Sequence, residues 1–317
     1  MPRPDVHKMK PEIEVSVRRV GVVGIRVPVQ FIFFEEQPAI VVPTFDVYVD
    51  LPAHQKGIHP SRSYEATVEI VSKYAEKLNR LEDLCADIAH EQLNRHEYAT
   101  VAEVHAAADV VYARQTPRTD IRTYESCTMK ALAIAKRTDE RNIATRRWIG
   151  VTVSGITACP CAQELLRETA EDELIHKHKI EKRQAQQIVD GIPIGSHMQR
   201  SIGSVMVEIP KGYSIDALRL IGVVEQAMSA ASFELLKRPD EADVVLNALA
   251  NPRFVEDALR LMIGNIVQTF PDLPDEMELV LTQRNEECIH RHDLVAEQTL
   301  TMGEARHDIQ NNNTGQK

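Results

Sequence analysis

The spacing of apolar residues changes in the same way in both halves of the chain, and this pattern constrains the fold most strongly. Residues 12–34 and 39–52 are rich in Val and Ile and partly alternate with polar residues, which is typical of strands, the second one ending at Pro52. From 63 to 96 apolar residues recur every three or four positions, which predicts a helix in two pieces. Residues 98–113 again have strand-like content.

The second half repeats this order after a charged stretch, 136–147, which we interpret as a linker. The predicted strands there are 148–158, 201–213 and 276–287. The predicted helices are 214–236, capped by Ser214, and 251–270, with Asn251 as its cap and Pro252 as its first residue. Helices grouped between strands predict an α+β fold with antiparallel sheets.

We therefore expect two tandem modules, 1–140 and 141–317, each with helices packed on one face of its sheet. A polar helical insertion at about 164–190 interrupts the second module. His176 and His178 lie within it, two residues apart. Side chains two apart on a helix point in different directions, so we interpret this pair as solvated surface residues and not as metal ligands.

Composition and charge exclude several classes of protein. The 317 residues contain no run of 18 apolar residues, and the N-terminus lacks the apolar core of a secretory signal, so we expect no membrane span and a cytoplasmic protein. Five cysteines without framework spacing also favour a reducing compartment. The net charge of −10 argues against a nucleic-acid partner, but it leaves room for a small anionic substrate.

Two cysteines, Cys159 and Cys161, flank a proline in a chain with three other cysteines. They could be metal ligands, reactive nucleophiles or small buried side chains. The chain has neither a GxxxxGK[ST] nor a GxGxxG phosphate loop. Polar clusters do follow several apolar elements, at 54–63, 195–201, 235–243, 254–260 and 285–293. A thiolate, an imidazole and a carboxylate from such clusters would make a catalytic metal site with an open position.

Six stretches in these clusters resemble, in the same order, those of type IB GTP cyclohydrolases, most closely the archaeal branch of the methanopterin pathway. They are VDLPAHQKGIHPSRS, GITACPCAQ, HMQRSIG, LLKRPDEADVV, NPRFVEDALR and IHRHD. The resemblance spans about residues 12–300 and includes the long insertion. It implies tandem tunnelling-fold modules assembled into barrels, as a homo-oligomer, dimer or tetramer, with active sites between subunits.

The resemblance also implies a reaction on GTP. A metal-activated water attacks C8 of guanine, the imidazole ring opens and formate leaves. The archaeal enzymes use Fe²⁺, with Zn²⁺ or Mn²⁺ as possible substitutes, and yield 7,8-dihydroneopterin 2′,3′-cyclic phosphate and diphosphate. The bacterial branch yields dihydroneopterin triphosphate.

The residue roles implied by the resemblance fall into three groups. The metal ligands are Cys159, His197 and Glu241. The catalytic residues are Cys159, Glu287, His290 and His292. The substrate contacts are Glu256, which accepts the guanine N1–H and N2–H donors, with Lys56, His59, Arg62 and Arg200.

Two positions depart from the family pattern, which more often has Asn at Met198 and Ser at Cys288. The roles of Cys161 and Cys288 stay open. Two other readings of the chain are a nitrile reductase of the same fold, with a nucleophilic cysteine and NADPH, and a metal-stabilised binding protein without turnover.

Overall fold

Strands and paired helices alternate along the chain as the apolar spacing predicts. The structure, a computed structural model, describes residues 5–34, 37–74, 80–139 and 142–314. The strands are β1 (Val17–Arg26), β2 (Val29–Phe34), β3 (Gln37–Val41), β4 (Thr44–Leu51), β5 (Val101–Gln115), β6 (Arg122–Arg137), β7 (Ile143–Ala158), β8 (Met198–Glu208), β9 (Ala230–Ala231), β10 (Glu278–Glu286) and β11 (Leu294–Thr301). The helices are α1 (Pro60–Tyr74), α2 (Leu81–Arg95), α3 (Pro160–His176), α4 (Lys182–Asp190), α5 (Ala217–Ala227), α6 (Arg238–Ala250), α7 (Val255–Thr269) and α8 (Met302–Thr314). These bounds confirm the predicted α+β class.

The contacts within the chain define two units. Unit 1 comprises Met1–Val110, Thr128–Val151 and Met206–Ala217, and unit 2 comprises Val111–Cys127, Thr152–Val205 and Leu218–Lys317. Each unit is therefore made of three segments. The expected modules, 1–140 and 141–317, are continuous stretches of sequence, whereas each unit groups residues that contact one another.

Unit 1 contains β1, β4 and parts of β5, β6 and β7, in the strand order β1-β4-β5-β6-β7, in which β1 and β5 pair with β4 antiparallel. Strand β4 alternates between buried and partly exposed residues, and its buried face is covered by α2. Gly21 of β1 lies against β4, where a Cβ atom would come within 1.9 Å of the carbonyl oxygen of Val47. Only glycine fits at that crossing.

Unit 2 contains β10, β11 and parts of β7 and β8, in the strand order β7-β8-β10-β11, with the short strand β9 pairing antiparallel with β7. Strands β10 and β11 are antiparallel, and α7 packs against both of them. Met262 and Ile266 of α7 are fully buried. In β8, residues 199 and 201 are buried while residue 200 is exposed, so successive side chains point to opposite faces.

Two helix predictions for this half are wrong at their ends. Helix α5 stops at Ala227, nine residues short of the prediction, because residues 230–231 pair with β7. Ser214 lies three residues outside α5. Asn251 does not begin a helix: it follows the last residue of α6, a helix that the sequence analysis missed, and α7 begins at Val255 after Phe254.

The predicted linker at 136–147 is also wrong, because two long strands occupy most of it. Strand β6 continues to Arg137 and β7 begins at Ile143. Between them, the N–H of Thr138 donates to the carbonyl oxygen of Asn142 at 2.9 Å, as in a hairpin turn. Residues 140–141 of the predicted linker lie outside the described residues.

The buried His96 of unit 1 makes stability depend on pH. Its ring nitrogens contact the hydroxyl groups of Ser63 (3.0 Å) and Tyr98 (2.8 Å). Burial, followed by the charge of Arg62, lowers the pKa of His96 to about 4. Since the unfolded chain takes up this proton near pH 6.5, the stability from neutral His96 is full above that pH and falls as the pH drops towards 4.

We predict that unfolding free energy falls by roughly 2–3 kcal/mol between pH 7 and pH 4 through this residue alone. His96→Asn should flatten that slope, and His90→Asn, a change at an exposed α2 position, should not. Denaturant titrations at several pH values measure the unfolding free energy of the wild type and of both variants. Equal slopes for wild type and His96→Asn would contradict the assignment.

Candidate active site

A cavity of about 370 Å³ in unit 2 brings several of the expected site residues together. Its polar wall includes Cys159, Cys161, His197, Glu287 and His290. Its apolar wall includes Ala162, Leu165, Phe254, Val255, Ile289 and Leu294. The cavity is therefore a mostly apolar pocket with a few convergent polar groups, as is usual for a small-molecule site.

Cys159 lies at the junction between β7 and α3. It is the residue before the first turn of α3, and its sulfur accepts a hydrogen bond from the N–H of Ala162 at 3.5 Å. Pro160 takes the first helical position, where a missing N–H costs nothing. Cys161 is one residue into the helix and is exposed.

His197 lies beside Cys159 because a backbone hydrogen bond connects the two residues. The N–H of Cys159 donates to the carbonyl oxygen of His197 at 3.1 Å, and the hydroxyl of Ser196 donates to the carbonyl oxygen of Cys159 at 2.6 Å. The Nδ1 atom of His197 lies 3.4 Å from the sulfur of Cys288. Its Nε2 atom is therefore the ring nitrogen left for a ligand.

His290 and His292 are two residues apart after a predicted strand, so the sequence predicts that they share one face of an extended chain. The segment from Glu287 to Asp293 instead forms a closed loop between β10 and β11. Asp293 accepts hydrogen bonds from the Arg284 side chain, at 3.1 Å from its Nε, and from the N–H of Glu287 at 3.3 Å. Within the loop, the rings of His290 and His292 stack 5.3 Å apart at 13°. The two histidines are thus side by side as expected, although bends and not strand geometry place them there.

Glu241 does not join Cys159 and His197. It lies exposed in the first turn of α6. The C-terminal end of α6 is the end that lies near Cys159. There, the side chain of Gln163, four residues after Cys159, donates to the carbonyl oxygen of Leu249 at 2.8 Å. Within the described ranges, no three His, Cys, Asp or Glu side chains lie close enough together to hold a metal ion. One chain therefore brings together two of the three expected ligands.

The start of α6 is nevertheless fixed firmly. Asp240, next to Glu241, is fully buried and accepts hydrogen bonds from the N–H groups of Arg118 and Thr119, both at 2.9 Å, and from the N–H of Lys237 at 3.0 Å. Burial alone would raise the pKa of Asp240, but these bonds and the Thr119 hydroxyl outweigh it and hold the pKa well below its usual range. Asp240 stays ionised and sets where Glu241 projects.

The expected substrate contacts are spread more widely. Glu256 is exposed in the first turn of α7, directly after the cavity residues Phe254 and Val255. Arg200 is exposed and lines a different cavity of unit 2, of about 550 Å³, to which Gln199 also contributes.

The remaining three expected contacts belong to unit 1. His59 pairs with Asp5 at 2.9 Å, Arg62 donates to the carbonyl oxygen of Arg95 at 3.2 Å, and Lys56 is exposed.

Comparison with known proteins identifies the family. The family model described as Type I GTP cyclohydrolase folE2 matches residues 3–296. The chain belongs to the type I GTP cyclohydrolase family. This confirms the resemblance found in the sequence.

Two relatives match the chain over nearly its whole length. GTP cyclohydrolase MptA 2 of Methanocella arvoryzae is 41% identical over 307 residues, which cover 96% of this chain and 98% of that protein. GTP cyclohydrolase MptA of Methanothermobacter thermautotrophicus is 40% identical over 308 residues, which cover 97% and 96%. The family membership is therefore not confined to one half of the chain.

Among solved structures, the uricase of Arthrobacter globiformis has a TM-score of 0.51 at 8% identity and covers 90% of this chain and 93% of its own. A hyper-thermostable mutant of AgUricase has a TM-score of 0.52 at 7% identity, covering 90% and 92%. At such identity the likeness shows the fold alone. It supports the predicted pair of tunnelling-fold modules in this GTP cyclohydrolase family member.

The sequence analysis missed three cavity residues, Gln199, Arg253 and Asn285. Arg253 donates to the carbonyl oxygens of Gln226 (2.5 Å) and Met228 (2.7 Å), and burial lowers its pKa. It thereby holds the segment that leads into α7. Gln199 and Arg253 lie inside quoted stretches and Asn285 begins the polar cluster at 285–293, yet nothing in the spacing distinguishes the three from core or surface residues. No helix in the described part of the chain is long and apolar enough to cross a membrane.

Asp293 keeps the loop of 287–293 closed, and we predict that its loss exposes the loop to proteases. The bonds from Arg284 lower the pKa of Asp293, so the carboxylate is ionised at neutral pH. In Asp293→Ala, trypsin should cleave after Arg291 several-fold faster, because local opening costs less. Mass spectrometry of timed digests measures it, with Asp308→Ala, an exposed α8 change, as control. Unchanged cleavage at Arg291 would contradict this role.

Proposed function

We propose that this chain is a metal-dependent GTP cyclohydrolase that opens the guanine imidazole ring at C8 and releases formate. The products are 7,8-dihydroneopterin 2′,3′-cyclic phosphate and diphosphate, and the step begins tetrahydromethanopterin synthesis. The observation that carries this proposal is the meeting of Cys159, His197, Glu287 and His290 at one cavity in a member of this family. The names of the relatives, GTP cyclohydrolase MptA, support it.

The donor set at the cavity fits a divalent transition metal. A thiolate from Cys159 and the Nε2 atom of His197 are ligands that suit Fe²⁺ or Zn²⁺, with Mn²⁺ as a further substitute. The Cys288 sulfur beside Nδ1 would hold the His197 ring in the required orientation. When bound, the metal supplies an activated water for attack on C8. We propose Fe²⁺ as the native ion, on the resemblance to the archaeal branch.

The third ligand, Glu241, would come from a second copy of the chain. Glu241 precedes Leu249, the residue near Cys159, by eight positions, which is about 12 Å along a helix. The first turn of α6 is anchored by the buried Asp240 and exposes Glu241 to an approaching copy. We therefore propose a homo-oligomer, a dimer or tetramer, whose active sites lie between subunits.

The other residues would bind and protonate GTP. Glu256 at the start of α7 would accept the N1–H and N2–H donors of guanine as a bidentate carboxylate. His290 and His292, stacked beside the cavity, would transfer protons during ring opening. Lys56, His59, Arg62 and Arg200 remain proposed substrate contacts. The five free thiols fit a reducing, cytoplasmic setting.

Anaerobic incubation with GTP and Fe²⁺ tests the reaction. We expect stoichiometric release of formate and a cyclic phosphate that becomes a fluorescent pterin on oxidation. Dihydroneopterin triphosphate instead would confirm ring opening but shift the product to that of the bacterial branch. Metal retention without formate would indicate a binding protein, and NADPH-dependent nitrile reduction would indicate the reductase alternative.

A mixing experiment tests the shared site. Cys159→Ala and Glu241→Ala should each be inactive alone. Mixed in a dimer, they should restore about a quarter of wild-type activity, because half of randomly formed dimers are mixed and each of these has one intact site. Mixing Cys159→Ala with His197→Ala is the matched control, since both changes remove a ligand from the same chain. Absence of recovery in the first mixture would place all three ligands in one chain.

A further inference from the structure

A row of buried polar side chains crosses three strands of unit 2 and ends at the cavity. Thr157 of β7 lies 2.7 Å from the hydroxyl of Ser201 of β8, which donates to the Oδ1 atom of Asn285 of β10 at 2.6 Å. The side-chain amide of Gln283 reaches the same Oδ1 atom at 3.5 Å. Thr157, Ser201 and Gln283 are fully buried, and Asn285 is 2% exposed. Such a network orients the amide of Asn285 in one way.

This orientation leaves the NH₂ group of Asn285 free. Both of its described hydrogen bonds use Oδ1, and Asn285 lines the cavity that holds Cys159 and His197. Gln199 Oε1 and Gln283 Oε1 are enclosed without a partner, whereas Asn285 Nδ2 is not among these enclosed atoms. The donor is therefore accessible from the cavity side.

A free donor in a largely apolar pocket is unfavourable unless a ligand accepts it, because burying an unpaired polar group costs free energy. The ligand atom must be an acceptor, since the amide nitrogen can only donate. Guanine has two acceptors on its imidazole side, N7 and O6. N7 is bonded to C8, the atom that reacts beside the Cys159 and His197 pair, whereas O6 adjoins the N1–H edge assigned to Glu256.

We propose that the Nδ2 group of Asn285 donates a hydrogen bond to N7 of the purine and stabilises the charge that develops there. This rests on the proposed function. As the water oxygen bonds to C8, the C8–N7 π bond breaks and its electron pair moves to N7. A fixed donor at N7 strengthens during that step, which lowers the barrier more than it improves binding. A neighbouring acid, His290 by position, delivers a proton to N7, and the attacking water gives up one proton to a neighbouring base, Glu287 by position, so that the step adds OH to C8 and H to N7.

The decisive variant is Asn285→Asp. A carboxylate keeps the acceptor for Ser201 and Gln283 but replaces the cavity-facing donor with an acceptor. We expect kcat for GTP to fall about 100-fold, with wild-type metal content and little change in KM. Asn265→Asp is the matched control, because Asn265 on α7 donates to the carbonyl oxygen of Val223 and does not line the cavity. It should lose stability but keep kcat.

A GTP analogue with carbon in place of N7 distinguishes a direct contact between Asn285 and N7 from a structural role of Asn285. 7-deaza-GTP should bind Asn285→Ala at least as tightly as wild type, because this ligand has no acceptor to lose and leaves the wild-type donor unpaired. A kcat within about twofold of wild type in Asn285→Asp would overturn the assignment, since peripheral changes have effects of that size. So would a weaker 7-deaza-GTP in Asn285→Ala, which would indicate a structural role.

The wild-type enzyme run in parallel separates this proposal from the proposed function. Absence of formate from wild type would end both proposals. Formate from wild type and from Asn285→Asp alike would end only the role of Asn285.

Discussion

The hydrogen bond from the N–H of Cys159 to the carbonyl oxygen of His197 closes the insertion of α3 and α4 at its base. The 37 residues between them, 160–196, leave the end of β7 and return to the start of β8. Closing so long a loop costs entropy, which this bond and the Gln163 bond to Ile194 at 3.0 Å help to offset. The proposed thiol and imidazole ligands meet because the loop closes there.

The other groups of the cavity are held by strands as well. The buried row of Thr157, Ser201 and Asn285 spans β7, β8 and β10, and Arg284 of β10 holds the loop that carries His290. Groups fixed by strands and buried partners deviate less than groups on free loops. Glu241 differs, because it lies on α6 in the first turn, and the opposite end of that helix is the one near Cys159.

Strand β4 and helix α1 each bury one face, so their apolar residues recur with the spacing of a strand and of a helix. The repeated order of strands and paired helices is therefore visible in the sequence. Helix α6 was not visible, because it buries only Asp240, Val244 and Ala248, and one of these is charged. Among the cavity residues, the pair Cys159 and Cys161 stood out by its spacing, whereas roles for His197, Glu287 and His290 were accessible through the resemblance alone. Asn285 was not, since alternation on β10 predicts an apolar residue at a buried position. The order of residues along the chain does not show which subunit would supply Glu241.

Helix α3 has no buried side chain although it is 17 residues long. Its residues are therefore under little packing constraint, and it follows directly on Cys159, whose N–H bonds to the carbonyl oxygen of His197 through backbone atoms that nearly every residue type carries. Length, charge and surface character can change here over evolution without moving the sulfur of Cys159 or the ring of His197. The insertion is thus a site where related lineages can diverge, and where an engineer can exchange a whole segment, while the chemistry beneath it is retained.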